Sequence, residues 1–397
     1  MVEAQREVWI TGIGILSCLG EGSSAHWQSL MQRPSADVKI FAPFIVHPLA
    51  SVDFDAQIPK KGDQRQMEDW QRIGTYAAGL ALDSAGVKGK AEILSHMDMI
   101  VAAGGGERDL TVDSTILSGI RHAANPAAFL NERLMSDLRP TLFLAQLSNL
   151  LAGNISIVHG VTGSSRTFMG EESAGIDAVR IAHARIGAGQ SDIALVGGSY
   201  NAERPDLLML YEFAGLALKE KHVPVWERSG KGGFALGSLG AFLVMEARAH
   251  AQKRGAKPLA RLTSVLSDRA NRQPGTITST LSRLWDALRE EKVHPRHAAV
   301  LSGATGANPA TAEERLFLEQ HSELAVRATG SHLGHGLEPQ FPMNIALATV
   351  ALEHASLFPP CDSTSLERPM EEELKQVVVT GVGHWRGEGL ALVERVG

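Results

Sequence analysis

The stretch TFMGEESAGIDAVRIAHARIGAGQSDIALVGGS, residues 167–199, reads as strand, tight turn, small-residue helix, turn and strand. A helix that opens directly after a strand presents free backbone N–H groups and the positive end of its dipole at the turn. Enzymes mount nucleophiles at such turns. Here the apex carries Glu171 and Glu172, with no Cys or Ser before Ser173.

Working outward, strand-like apolar runs recur at residues 8–15, 97–105, 240–246, 259–268, 297–305 and 376–383. Helical spacing lies between them. Ile73, Ala77, Leu80, Ala81 and Ser84 share one face of a segment that Gly86 closes. Leu281, Leu284, Ala287 and Leu288 share a face of the segment from Thr276 to Glu291. Near-continuous apolar strands alternating with helices imply a mixed α/β sheet buried on both faces. The 40 glycines gather in knots such as TGIG (11–14), AAGGGER (102–108) and TGVGHWRGEG (380–389), where backbones turn sharply or approach something closely. VWITGIG (8–14) and VVVTGVG (377–383) share the pattern V-x-x-T-G-x-G, which either chance or an internal duplication leaves behind. The polar stretch HAQKRGAKP (250–258) places the expected break between a first half, residues 1–255, and a second, 256–397.

Composition narrows the classes. With 397 residues, 44% hydrophobic and 21% charged, the chain is long enough for a large core. A net charge of -6 gives nucleic acid or an anionic membrane no counter-charge. No apolar run approaches the roughly 20 residues of a membrane helix. The charged start MVEAQREVW does not read as a signal peptide. Cys18 and Cys361 match neither a disulfide framework nor a metal-ligand spacing. A reduced, cytoplasmic protein without cofactor or metal is the expectation.

The chain resembles the elongating, class II β-ketoacyl-ACP synthases of the thiolase superfamily nearly end to end. VWITGIGILSCLGEG followed by HWQSLM is similar to the family's V-V-V-T-G-x-G-x-x-S-P-x-G and W-x-x-L. GAGQSDIALVGGS is similar to G-D-A-D-x-x-x-A-G-G, and VPVWERSGKGGFALGSLGAFLVME to the P-F-D-x-x-R-x-G-F segment. The resemblance implies a duplicated five-layer α/β/α/β/α fold with mixed sheets, dimeric, working with an acyl carrier protein. Carried over residue by residue, the family's nucleophilic cysteine falls on Glu172. Its first histidine falls on Ala304 in GATGANP, its lysine on Arg327, and its second histidine on His332 in VRATGSHLGHG. The gating phenylalanine falls on Val382, in a loop that continues with Gly383 and His384.

The resemblance therefore implies a retained scaffold around a rewritten site. The helix dipole favours a carboxylate at Glu172, whereas burial favours the protonated acid. One implied role is a non-condensing or chain-length-determining partner, as homodimer or as heterodimer with a cysteine-bearing ketosynthase. The other is an enzyme that decarboxylates or otherwise processes malonyl or acyl thioesters through Glu172 and His332. His332, His335 and Glu338 recur at three-residue intervals, and His384 lies in the gate loop. If the glycine-rich loops converge, Glu172, His332, His335 and His384 form an acid–base site or a metal site, with Val382, Gly383, His384 and His335 lining the substrate; otherwise His335 and His384 fill space. Arg327 is expected to pair a carboxylate, with Glu172 as one candidate. The basic run QKRGAK (252–257) either meets an acidic carrier protein or is a solvated loop.

Overall fold

The computed structural model describes residues 5–32, 40–138, 143–144, 146–289 and 293–396. We number the longer strands β1 (Val8–Ser17), β2 (Asp98–Ala102), β3 (Ser165–Phe168), β4 (Ile193–Tyr200), β5 (Leu239–Ala247), β6 (Ala260–Asp268), β7 (Ala298–Ser302), β8 (Ala325–Ala328), β9 (Gln376–Val382) and β10 (Glu388–Glu394). The principal helices are α1 (Asp69–Ser84), α2 (Glu171–Gly187), α3 (Pro205–Phe213), α4 (Thr276–Arg289) and α5 (Gln340–Glu353). The sequence placed the end of α4 at Glu291; residues 290–292 lie outside the described residues.

With the two-residue strand Gly20–Glu21 paired to β1, these strands form one 11-stranded sheet in the order β8-β7-β9-β10-β6-β1-β5-β4-β2-β3. The order contains one motif twice. In each half the third, second and fourth strands are parallel neighbours, and the fourth, fifth and first run antiparallel. The halves join at a short antiparallel seam, Val8, Trp9 and Ile10 against Leu262, Arg261 and Ala260. The duplication is real, but the sequence echo is not its trace. VWITGIG lies on β1, the first strand of its half, whereas VVVTGVG lies on β9, the fourth strand, whose counterpart is β4.

Burial explains the layering. α2 and α5 follow the third strand of each half, and both pack into one apolar cluster with the inner faces of both half-sheets. α5 is buried from Gln340 to Leu352, as a helix apolar all round must be. α1, opened by a capping box between Glu68 and Gln71, covers the outer face of the first half, and α4 covers that of the second. The result is the five-layer α/β/α/β/α arrangement, with the thiolase-like mixed sheet expected from the sequence. Trp70, Trp226 and Trp285 are all buried in these layers. Two glycines allow close helix packing: a Cβ on Gly14 would lie 2.1 Å from the Ala77 carbonyl of α1, and one on Gly175 would lie 2.2 Å from the Glu338 carbonyl. Gly175 therefore lets α2 touch the chain that leads into α5.

Candidate functional site

The N-termini of the two middle-layer helices define the site. β3 passes into α2 through Met169 and Gly170 alone, and Gly170 adopts φ 133 as N-cap. Glu171 follows in the left-handed region at φ 56, a costly conformation for a non-glycine residue. Glu172 is then buried in the first turn of α2, where the helix dipole favours its negative charge.

Glu172 Oε1 is 2.9 Å from His335 Nε2, and both side chains are buried. The backbone holds His335 in place: its N–H donates to the Ala235 carbonyl at 2.8 Å, and its carbonyl accepts from Gly237 at 3.0 Å. Phe234 packs against the His335 ring at 5.6 Å and against His384 at 5.5 Å. His384 belongs to the loop between β9 and β10. Burial depresses its basicity, and the neighbouring Glu172 partly offsets this. The structure brings together Glu172, His335 and His384, three of the four side chains in the converging-loop reading.

His332 occupies a different setting. It lies in the single helical turn Gly330–Leu333, with its ring perpendicular to Phe358 at 5.5 Å. Its carbonyl faces the Cys18 thiol, and His47 lies close enough to feel its charge. The imidazole bonded to Glu172 is therefore His335, three residues beyond the position reached by gap-free carry-over. The connection between Ala328 and Gln340 carries both histidines, and it is Gly334–His335 that lies at the helix approach.

Arg327 also departs from expectation as a partner of Glu172. Its buried guanidinium donates to the carbonyls of Phe358 (2.6 Å), Val326 (2.6 Å) and Arg368 (2.9 Å), and the carboxylate under its influence is Glu367. Ala304 is buried, with its N–H donated to Ser302 Oγ at 3.0 Å; its methyl group offers a ligand no hydrogen bond. Val382 ends β9 inside the outer core of the second half. Gly383 must be glycine, since a Cβ there would meet the Arg386 carbonyl at 2.0 Å and Glu172 Oε2 at 3.3 Å. Among the described residues, no three His, Cys, Asp or Glu side chains converge as metal ligands.

Two residues, Arg272 and Tyr200, escaped the sequence reading of the site, and Glu338 entered it only through its spacing. Arg272 donates to the carbonyls of Gly383 (2.6 Å) and His384 (3.1 Å) and to Glu388 Oε1 (2.6 Å), tying down the β9–β10 loop. Nothing in its neighbourhood of sequence marks it. Glu338, visible only as the last member of the three-residue spacing, is buried beside the start of α2. Burial first, and then the charges of Glu172 and Glu171, push its carboxyl up to about 7. Tyr200 ends β4 one residue past the glycine–serine knot, which was its only signal.

The duplicated sheet, its layering and the two helix N-termini meeting at one buried site are those of a thiolase-like ketosynthase. A family model for the N-terminal domain of β-ketoacyl synthases matches residues 5–251, and the chain belongs to this β-ketoacyl synthase family. It is 28% identical over 277 residues to the 3-oxoacyl-[acyl-carrier-protein] synthase 2 of Vibrio harveyi, covering 65% of this chain and 62% of that protein's length. It is 25% identical over 382 residues to the oxytetracycline polyketide putative β-ketoacyl synthase 1 of Streptomyces rimosus, covering 89% and 86%. The fold matches the ishigamide ketosynthase/chain length factor with a TM-score of 0.79 at 19% identity, over 99% of this chain and 100% of that one. A type II polyketide acyl-carrier protein in complex with its ketosynthase matches with a TM-score of 0.74 at 18% identity, over 99% and 100%. Among the described residues no helix is long and apolar enough to cross a membrane.

Proposed function

We propose that this chain is a non-condensing β-ketoacyl synthase homologue of fatty-acid or polyketide synthesis. In this reading it pairs with a cysteine-bearing ketosynthase and shapes the space for an acyl chain delivered by an acyl carrier protein. The observation that carries this is the first turn of α2, where an acyl acceptor would stand: it offers a buried carboxylate hydrogen-bonded to His335. A carboxylate is a poor acyl acceptor, and its anhydride would hydrolyse quickly. The two thiols do not substitute for it. Cys18 and Cys361 lie away from this turn, and burial pushes both up to about 12, far from thiolate at neutral pH. Ala304 supplies no donor to a developing oxyanion, and loss of one such donor costs about 10²–10³ in rate.

Two further features support a partner. β3 ends the sheet, so its outer edge is open to pairing among the described residues, and Met169 and Ile157 beside it are exposed. The structural likeness to a ketosynthase/chain length factor fits the same role. The test is to incubate the purified chain with malonyl-loaded carrier protein and to co-express it with a cysteine-bearing ketosynthase from the same genome. Carbon dioxide release should stay at background, and a one-to-one heterodimer should be recovered.

The Glu172–His335 hydrogen bond favours a second reading, an acid–base pair that decarboxylates or otherwise processes malonyl or acyl thioesters. Carbon dioxide release well above background, abolished by His335→Ala, would establish it and overturn the partner-only role.

A further inference from the structure

Three arginines with little exposure each meet a carboxylate: Arg204 pairs with Asp206, Arg254 with Glu246 and Arg272 with Glu388. Arg228 does not. Its guanidinium donates to carbonyls alone, those of Val223 (2.9 Å), Gly233 (2.8 Å) and Thr305 (3.3 Å), and its Nη2 is buried without a partner among the described residues. Burial pushes the group down to about 10, so it keeps its charge at neutral pH. A charge taken out of water without a counter-charge is costly.

Two imidazoles stand beside it. His47, on the two-residue strand Val46–His47, is 1% exposed, and its ring meets that of His222 edge-on with centroids 5.3 Å apart. The Nε2 atoms of both rings are also buried and unpartnered among the described residues. Burial lowers the basicity of both rings, and the charge of Arg228 lowers it further, so the three groups share one chamber. The Cys18 thiol lies 3.7 Å from His47 Nδ1, and the backbone of Ser331 holds His222. The other groups that act on the chamber are His332 on His47 and the Cys361 thiol on Arg228; none is a carboxylate.

Three unpartnered polar atoms around one unbalanced positive charge point to a ligand, and the charge sets its sign. Arg228 repels a metal cation. One guanidinium balances one negative charge, so a dianion would leave the chamber charged again. The space is tight: a Cβ on Gly334 would lie 2.8 Å from His47 Cδ2, and one on Gly306 2.0 Å from Arg228 Nη1. Chloride and the smallest carboxylates fit these terms. Because the Ser331 backbone already occupies the other side of His222, the ring donates through Nε2 to an anion once it takes up a proton. The bound anion favours that proton in return.

We infer that Arg228, His47 and His222 form a site for one small monovalent anion, which enters together with a proton on His222. Arg228 also holds the Thr305 carbonyl next to Ala304, and His47 packs on Gly334 next to His335, so the anion braces both of these loops. The inference goes beyond the proposed function and does not depend on it.

The test uses the purified full chain in sodium gluconate at constant ionic strength, with chloride as the probe and its NMR line width as the signal. Wild type should broaden the chloride line saturably, and formate should displace the ion where sulfate does not. Binding should be about fivefold tighter at pH 6 than at pH 7, because the proton taken up with the anion is supplied more readily in acid. Arg228→Ala should abolish the broadening. His222→Leu, at a half-buried position that tolerates change, should weaken binding about tenfold, the effect of one charge-assisted hydrogen bond. His222→Gln, whose amide donates without titrating, should bind chloride equally at both pH values, an outcome that a merely structural histidine would not produce. No saturable broadening by wild type would overturn the inference. Broadening that survives His222→Leu unchanged, or equal displacement by sulfate, would overturn it as well.

Discussion

The two approaches to the middle-layer helices use one backbone device and give their glutamates different surroundings. Before α2, Glu171 at φ 56 precedes the buried Glu172; before α5, Leu337 at φ 54 precedes the buried Glu338. Each half thus turns a left-handed residue to aim a glutamate at the seam between the helices. The difference lies in what each carboxyl meets. Glu172 has an imidazole at 2.9 Å, whereas Glu338 Oε2 has no hydrogen-bond partner among the described residues. The lengths of the turns explain this. The first connection is two residues long and carries nothing but its apex. The second runs from Thr329 to Pro339, and on its way to Glu338 it delivers His335 to the carboxylate of the other half. A duplicated frame yields two chemically distinct acids because only one of its two loops is long enough to carry a partner.

This contrast can be broken most severely by His335→Ala, which leaves the buried Glu172 carboxyl without its imidazole partner and a cavity in place of the ring. The expected loss is about 3 kcal/mol in urea unfolding. A loss under about 1 kcal/mol would mean the pair contributes nothing.

The state of Glu338 is read from pH. Its carboxyl is raised in the folded chain, so its stabilising contribution is complete below the ordinary carboxyl range and is lost as pH climbs toward about 7. Relative to Glu338→Gln, wild type should lose on the order of 2–3 kcal/mol between pH 4.5 and 7. Parallel stability curves for the two proteins would contradict the raised carboxyl.

Contact between the two turns is tested by Gly175→Ala, which sets a Cβ 2.2 Å from the Glu338 carbonyl and should cost about 1–3 kcal/mol. Gly153→Ala, whose nearest contact is Leu150 at 3.6 Å, should leave the melting temperature unchanged or slightly higher. The smallest effect is relief of the left-handed strain. Glu171→Gly should raise stability by about 0.5–1 kcal/mol, measured by the same unfolding midpoint.

Much of this frame was legible in the sequence. The strand–turn–helix reading of residues 167–199 holds, and the apolar runs at 8–15, 259–268 and 376–383 each fall on an observed strand. Gly86 does close α1, at φ 65. The four-residue strands β3 and β8 were harder to see alone: SRTF and AVRA each hold an arginine and owe their strand state to parallel neighbours. α1 is buried nearly all round, not on one face, because Leu151 and Ile155 of an adjacent helix cover its far side.

At the site, spacing gave the right loops and left open which histidine meets Glu172. His332 and His335 both follow a small residue inside one glycine-rich run. The choice between them depends on Leu236, which pairs with His335 as an isolated bridge nearly 100 residues earlier in the chain. Arg327 kept its buried charge, but with carbonyl partners that no side-chain pattern encodes.

The short seam between β1 and β6 also bears on how the chain is made. The first half has all five of its strands once Ala247 is synthesised, yet the inner face of that half-sheet packs against both α2 and α5. Until residues 340–353 leave the ribosome, Ile13, Val196 and Leu243 lack part of their cover, so the nascent chain carries a sticky, half-dressed sheet from Ala247 until α5 emerges.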